Sequence, residues 1–104
     1  MKEYDVIITA EAEKDLQDIF RYIALELLEP TVAMNLCNSI EREILKLSSM
    51  PDRHALYKKE PWFSRGLRFF PVSNYLIFYI VRDSDSSVHV LRVMYSKQNI
   101  QKRL

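Results

Sequence analysis

One cysteine, one glycine and two histidines are spread over 104 residues. Each scarcity excludes a class of protein. Cys37 has no second cysteine to bridge, so no internal disulfide framework exists. Its expected place on a helix face fits a buried structural thiol better than a reactive one. Gly66 stands alone, so there is no glycine-rich phosphate loop. His54 and His89 lack ligand spacing to a cysteine or carboxylate, and no metal motif is present. No cofactor is expected, and nothing announces a serine nucleophile. Long apolar runs are missing too. The longest, residues 75–81, is far too short to cross a bilayer as a helix. The chain begins Met-Lys-Glu-Tyr-Asp, with charge where a signal peptide needs apolar residues. The expectation is a soluble cytoplasmic chain with no membrane partner.

What is present is enough for one core. Hydrophobic residues make up 48% of the chain, so residues 1–104 are expected to form a single domain. Charge is divided unevenly along it. Residues 1–50 hold ten acidic side chains against five basic ones, a balance of −5. Residues 51–104 hold ten basic side chains against four acidic ones, a balance of +6. Such a split fits either an anionic partner for the second half or two ordinary solvated surfaces.

Residues 4–9 read as a short strand rich in β-branched side chains. Thr9 then offers a hydroxyl to cap a helix, and Glu11 and Glu13 follow where the helix dipole favours negative charge. Ala12, Leu16, Ile19, Phe20, Ile23, Ala24 and Leu27 recur in steps of three and four, which predicts one helix to about Leu28. Pro30 closes that helix and opens a second, with a stripe of Ala33, Leu36, Cys37, Ile40, Ile44 and Leu47. The short link implies an antiparallel hairpin. After Pro51 a loop runs to Gly66. Strands are then expected at residues 67–72, 75–81 and 88–94, joined by Ser73-Asn74 and by an Asp/Ser turn. The middle strand lacks polar alternation, so it belongs in the sheet interior. The fold class is therefore α+β, ordered β-α-α-β-β-β, with a helical hairpin packed on a small antiparallel sheet.

The loop is basic and aromatic, carrying Lys58, Lys59, Trp62, Phe63 and Arg65. A loop of this length is either functional or a packed connector anchored by its aromatics. Two arginines fall inside apolar strands, Arg68 in the first of the meander and Arg92 in the last, with Tyr95 just beyond. A lone buried charge is costly, so each must face solvent or be paired. If both share a sheet face, they form a cationic cleft for a phosphate backbone or an acidic partner. The alternative is that each pairs with a helix carboxylate such as Glu41 or Glu43.

The order of these motifs resembles the RelE/ParE superfamily of bacterial toxins. The likeness rests on Thr9-Ala-Glu-Ala-Glu-Lys-Asp-Leu16, Ile19-Phe-Arg-Tyr-Ile-Ala24 and the Pro30/Ala33 helix opening. It rests most on Gly66-Leu-Arg-Phe-Phe-Pro-Val, Asn74-Tyr-Leu-Ile-Phe-Tyr-Ile-Val81 and Val90-Leu-Arg-Val-Met-Tyr95. It covers nearly the whole chain. The resemblance implies a growth-inhibiting toxin neutralised by a cognate antitoxin protein, whose docking segment folds as it binds. It implies one of two targets. RelE-like relatives are ribosome-dependent mRNA endonucleases, and ParE-like relatives poison DNA gyrase by protein contact. For the first, Arg68 and Arg92 stand at the family's sheet positions and Tyr95 where an acid/base residue often stands. Lys58, Lys59, Arg65 and Lys97 would contact nucleic acid or a partner. Many relatives read His-x-x-Arg-Asp after the last strand, whereas this chain reads Tyr95-Ser-Lys-Gln-Asn99. A non-toxic module that only binds its antitoxin is the other reading.

Overall fold

A computed structural model describes residues 3–104. Met1 and Lys2, with which the charged N-terminal reading begins, lie outside the described residues. The elements are β1 (Asp5–Ile8), α1 (Ala10–Arg21), a π-helical segment (Tyr22–Glu26) and α2 (Pro30–Leu45). After them come β2 (Arg68–Val72), β3 (Tyr75–Arg82), β4 (Ser87–Tyr95) and a last helical turn, α3 (Ile100–Arg103).

Local chemistry sets the first turn. The Thr9 hydroxyl accepts from the Ala12 amide at 3.2 Å and donates to the Val90 carbonyl at 2.9 Å. One side chain thus caps α1 and ties its start to β4. At the other end the sequence stripe fails. The expected single helix to Leu28 stops being α-helical at Arg21. The Leu27 amide reaches back five residues to the Tyr22 carbonyl at 3.1 Å. A π turn spends more residues per revolution, so it shifts the phase of everything after it. Leu27, placed on the buried stripe by spacing, is half exposed as a result. Leu28 then takes a left-handed φ of 56°, and Pro30 opens α2 at its first turn.

The sheet order is β1-β4-β3-β2. β2, β3 and β4 form the expected antiparallel meander, while β1 joins β4 in parallel, so the four-stranded sheet is mixed. The front face is covered by the helices. Leu16, Ile40, Ile44 and Leu47 pack there on Phe70, Ile77, Tyr79 and Val90. The back face carries a second apolar layer. Phe78 and Met94 pack with Leu67 under Tyr57, Trp62, Ile100 and Leu104. The long loop and the C-terminal turn are therefore both anchored lids on the back of the sheet. Among the described residues, no helix is long and apolar enough to cross a membrane.

The loop's entry carries a titratable ring. His54 stacks on Phe70 at 4.2 Å between centroids. Burial, then the nearby Arg53 charge, pushes its pKa below the ordinary histidine value, against a weaker opposing pull from Glu43. A histidine that resists protonation in the fold takes up protons more readily when unfolded. Stability is thus full above the unfolded value of about 6.5 and falls as pH drops from there through the folded value. Urea midpoints are expected to be lower at pH 5.5 than at pH 7.5, with the difference reduced in His54→Gln. An unchanged difference in that variant would assign the pH dependence to other groups.

Candidate functional site

The sequence places Arg68 and Arg92 in one cationic cleft if they share a sheet face. The register separates them. Arg68 stands opposite Tyr79, and Arg92 stands opposite Phe78. Cross-strand partners share a face and neighbours along a strand alternate, so the two arginines leave opposite faces of the sheet. Tyr79 belongs to the front core and Phe78 to the back core, in agreement. The structure does not bring this pair together.

Each arginine has another occupation. Arg68 donates to the His54 carbonyl at 2.6 Å, pinning the start of the long loop. Tyr79 next to it donates to the Pro51 carbonyl at 2.5 Å, and burial raises its pKa to about 12. Arg92 forks onto Asp15 of α1, with Nε to Oδ2 at 2.8 Å and Nη2 to Oδ1 at 3.0 Å. The Asp15 carboxylate also accepts the Val93 amide at 2.9 Å. The third guanidinium nitrogen donates to the Arg103 carbonyl at 2.7 Å, which anchors α3. The Asp15 hydrogen bonds, more than the opposite charge itself, raise the Arg92 pKa against the lowering effect of burial. The alternative reading from sequence, pairing with a helix carboxylate, holds for Arg92. The carboxylate is Asp15, not Glu41 or Glu43.

Val93 has an amide to offer because β1 stops short. β1 pairs with β4 only from Ser87 to Val90. Beyond that point the β4 edge is open, and Asp15 takes the place of a missing strand. Sequence spacing put Asp15 off the apolar stripe but did not identify what it would meet.

Beside this edge lies a groove of about 830 Å³. Ile19, Tyr22, Ile23, Leu27, Val32 and Leu36 give it an apolar helical wall. Tyr75, Val93, Tyr95 and Arg103 line the sheet side, and Asp18 and Glu29 make its rim acidic. The rings of Tyr75 and Tyr95 meet at 5.6 Å. Tyr75 has its pKa raised, first by burial and then by Tyr95, so its phenol holds its proton more firmly than free tyrosine. Tyr95 stands at the mouth of the groove, opposite Tyr75, and so shares the front face with Arg68, four β3 positions away along the sheet, while Arg92 leaves the other face. It ends β4 instead of opening the tail.

The apolar wall continues past the groove to the hairpin tip. Within residues 22–34, Tyr22, Leu25, Leu27, Leu28, Val32 and Met34 are all exposed, with Leu25 at 68% and Leu28 at 78%. Scattered exposed leucines are ordinary, but six large apolar side chains on one tip are a patch. The sequence signal existed as a surplus of large apolar residues around Pro30, more than one stripe accommodates. Periodicity assigned Leu27 inward and left Leu25 and Leu28 without a role. Lys58, Lys59 and Arg65 lie elsewhere, exposed, on the loop behind the sheet, and Lys97 is exposed in the tail between Tyr95 and Gln98, which both line the groove. Cys37 is half-buried, its Sγ 4.0 Å from the Leu16 carbonyl, and desolvation followed by Glu41 raises its pKa. That disfavours a reactive thiolate.

A family model described as the ParE toxin of type II toxin–antitoxin systems, parDE, matches residues 6–100. The chain belongs to the ParE toxin family. Solved structures agree with this on fold. A chain of the chromosomal ParDE system of P. aeruginosa is 19% identical, with a TM-score of 0.72 over 93% of this ParE-family chain and 100% of that one. In the RelBE2 toxin–antitoxin complex of Mycobacterium tuberculosis, a chain is 22% identical, with a TM-score of 0.62 over 89% of this chain and 98% of that one. A mutant of the E. coli toxin RelE in the free state is 12% identical, with a TM-score of 0.67 over 97% and 92%. No curated protein sequence matches. The ParE-family chain thus has a RelE/ParE-like fold, two helices on a mixed four-stranded sheet.

Proposed function

We propose that this ParE-family chain inhibits growth by protein contact with DNA gyrase, through the hairpin tip, and that a cognate antitoxin neutralises it by laying an apolar segment in the adjoining groove. The observation that carries the choice of target is the separation of Arg68 from Arg92. Cleaving a phosphodiester needs charge stabilisation and a proton-transfer group within reach of the same phosphate. Here Arg92 is committed to Asp15 and the Arg103 carbonyl, and Arg68 holds a loop carbonyl on the other face. An unpaired apolar tip suits binding better than bond breaking. The groove's open side and apolar wall suit a peptide segment, and its Asp18 and Glu29 rim favours basic residues flanking that segment.

Induced expression separates the targets. The gyrase reading expects replication to stop and chromosomal breaks to appear while bulk translation continues. Immediate loss of translation with messages cut at ribosomal A-site codons would reverse the assignment. Undisturbed growth would leave only the antitoxin-binding module.

A further inference from the structure

The back of the sheet is covered by two segments, the loop 55–66 and the tail 96–104. Both are packed on Phe78 and Met94 through Tyr57, Trp62, Ile100 and Leu104. Their side-chain charge is one-sided. Lys58, Lys59, Arg65, Lys97, Lys102 and Arg103 stand against a single carboxylate, Glu60. All six basic residues are exposed, and among the described residues none of them forms an ion pair. Glu60 is turned to its own loop, where it accepts from the Ser64 amide at 2.8 Å and from the Ser64 hydroxyl. Arg103 also reaches the groove that Asp18 and Glu29 rim, so the uncompensated charge of the back layer is that of the other five. The opposite, helical layer holds most of the acidic residues, so the molecule is polarised from front to back.

Aromatic rings sit among these cations. The Arg65 guanidinium lies over the Trp62 ring, 5.2 Å from its centroid. Phe63 is 45% exposed on the same pair of tight turns, its amide bonded to the Lys59 carbonyl at 3.0 Å and its own carbonyl to the Gly66 amide at 3.1 Å. Gly66 closes the turn at a φ of 77°. A folded loop that exposes a phenyl ring within four residues of Lys59 and two of Arg65 has the two parts of a single-strand platform. One is a ring for a base and the other a set of charges for its phosphates. An acidic peptide would use the charges and leave the ring idle.

We propose that the back layer is a binding surface for single-stranded nucleic acid, seated on Lys58, Lys59, Phe63 and Arg65 and independent of the hairpin tip. The test is fluorescence anisotropy with a labelled 20-mer of deoxythymidine, titrated from low to physiological salt. The expected log–log salt slope is about −3.5 for the native chain, from about five phosphate contacts at roughly 0.7 each. The triple variant Lys58→Ala/Lys59→Ala/Arg65→Ala is expected to bind more than tenfold more weakly and to flatten the slope by about 2. Phe63→Ala is expected to weaken single-strand binding about fivefold or more while leaving duplex binding unchanged. All four residues are exposed, and circular dichroism verifies that the variants remain folded. The proposal is overturned if the native chain does not bind at low salt, or if the triple variant binds equally well. It is also overturned if polyglutamate of equal charge competes as well as the oligonucleotide, or if Phe63→Ala changes nothing. Gyrase inhibition, read on the same variants, reports separately on the hairpin tip.

Discussion

Replacing Leu25 and Leu28 together by glutamate is expected to abolish growth inhibition while the fold survives. The two side chains are among the most exposed apolar groups in the protein and touch no core cluster. Substitutions at such positions typically change stability by about 0.5 kcal/mol or less. At an interface the same residues become desolvated anchors, each costing on the order of 2 kcal/mol when lost. Two of them correspond to roughly a 100- to 1,000-fold loss of affinity, allowing for non-additivity. The readout is colony formation after induction, with thermal melting as the control for folding. Leu28→Gly supplies a second control. Its left-handed backbone suits glycine, so the variant should be no less stable than the native chain, yet it lacks the apolar side chain. Full toxicity in both variants would remove the tip as the working surface.

Asp15→Ala is expected to produce the largest loss of stability available from a single polar residue. The pair is largely withdrawn from solvent, with side-chain exposures of 20% for Arg92 and 14% for Asp15. Removing the carboxylate strands a guanidinium charge and the Val93 amide at once. Breaking one side of a buried pair costs about 3–5 kcal/mol, and the partial exposure here argues for the lower end. At about 4–8 °C per kcal/mol for a chain of this size, the melting temperature should fall by more than about 10 °C. The Lys14–Asp18 bridge one turn away has the same charges and a 2.9 Å contact, but both partners are exposed. Its loss should cost about 0.5 kcal/mol or less. Similar effects from Asp15→Ala and Asp18→Ala would mean that solvent reaches the Arg92 pair.

Arg92 separates a cleavage site from a contact surface. A catalytic arginine needs its charge directed at a substrate, whereas this one is held by α1, by the open edge of β4 and by α3. Arg92 and Asp15 together close the sheet edge where β1 ends. The tail carrying Ile100 and Leu104 is fastened by the same side chain, so Asp15→Ala should also loosen the back layer.

Much of this architecture is written in local chemistry. The Thr9 cap, the Pro30 helix start, the α2 stripe and the central place of β3 follow from side-chain types and short-range spacing. What spacing misses is long-range or depends on phase. The π segment breaks the three-and-four rhythm without any glycine or proline to announce it, and Leu27 faces outward as a result. The parallel β1–β4 pairing joins residues more than eighty positions apart, so no turn signal marks it. Where β1 ends depends on that pairing, and with it the partner of Arg92. The idea of a shared cleft fails for a simple reason. Which face a strand residue occupies depends on register, and register is fixed across strands rather than along them. The basic residues of the loop were legible as exposed cations. Their common seat behind the sheet was not, because it is set by Trp62 and Leu104 packing on a shared core.

The most direct test of the account is a cleavage-complex assay with purified gyrase, supercoiled plasmid and the native chain, beside an Arg68→Ala/Tyr95→Phe variant. Linearised plasmid is expected with both proteins, since the working surface is the hairpin tip. Intact plasmid with the native chain, together with cut messages on programmed ribosomes that disappear in the variant, would contradict it.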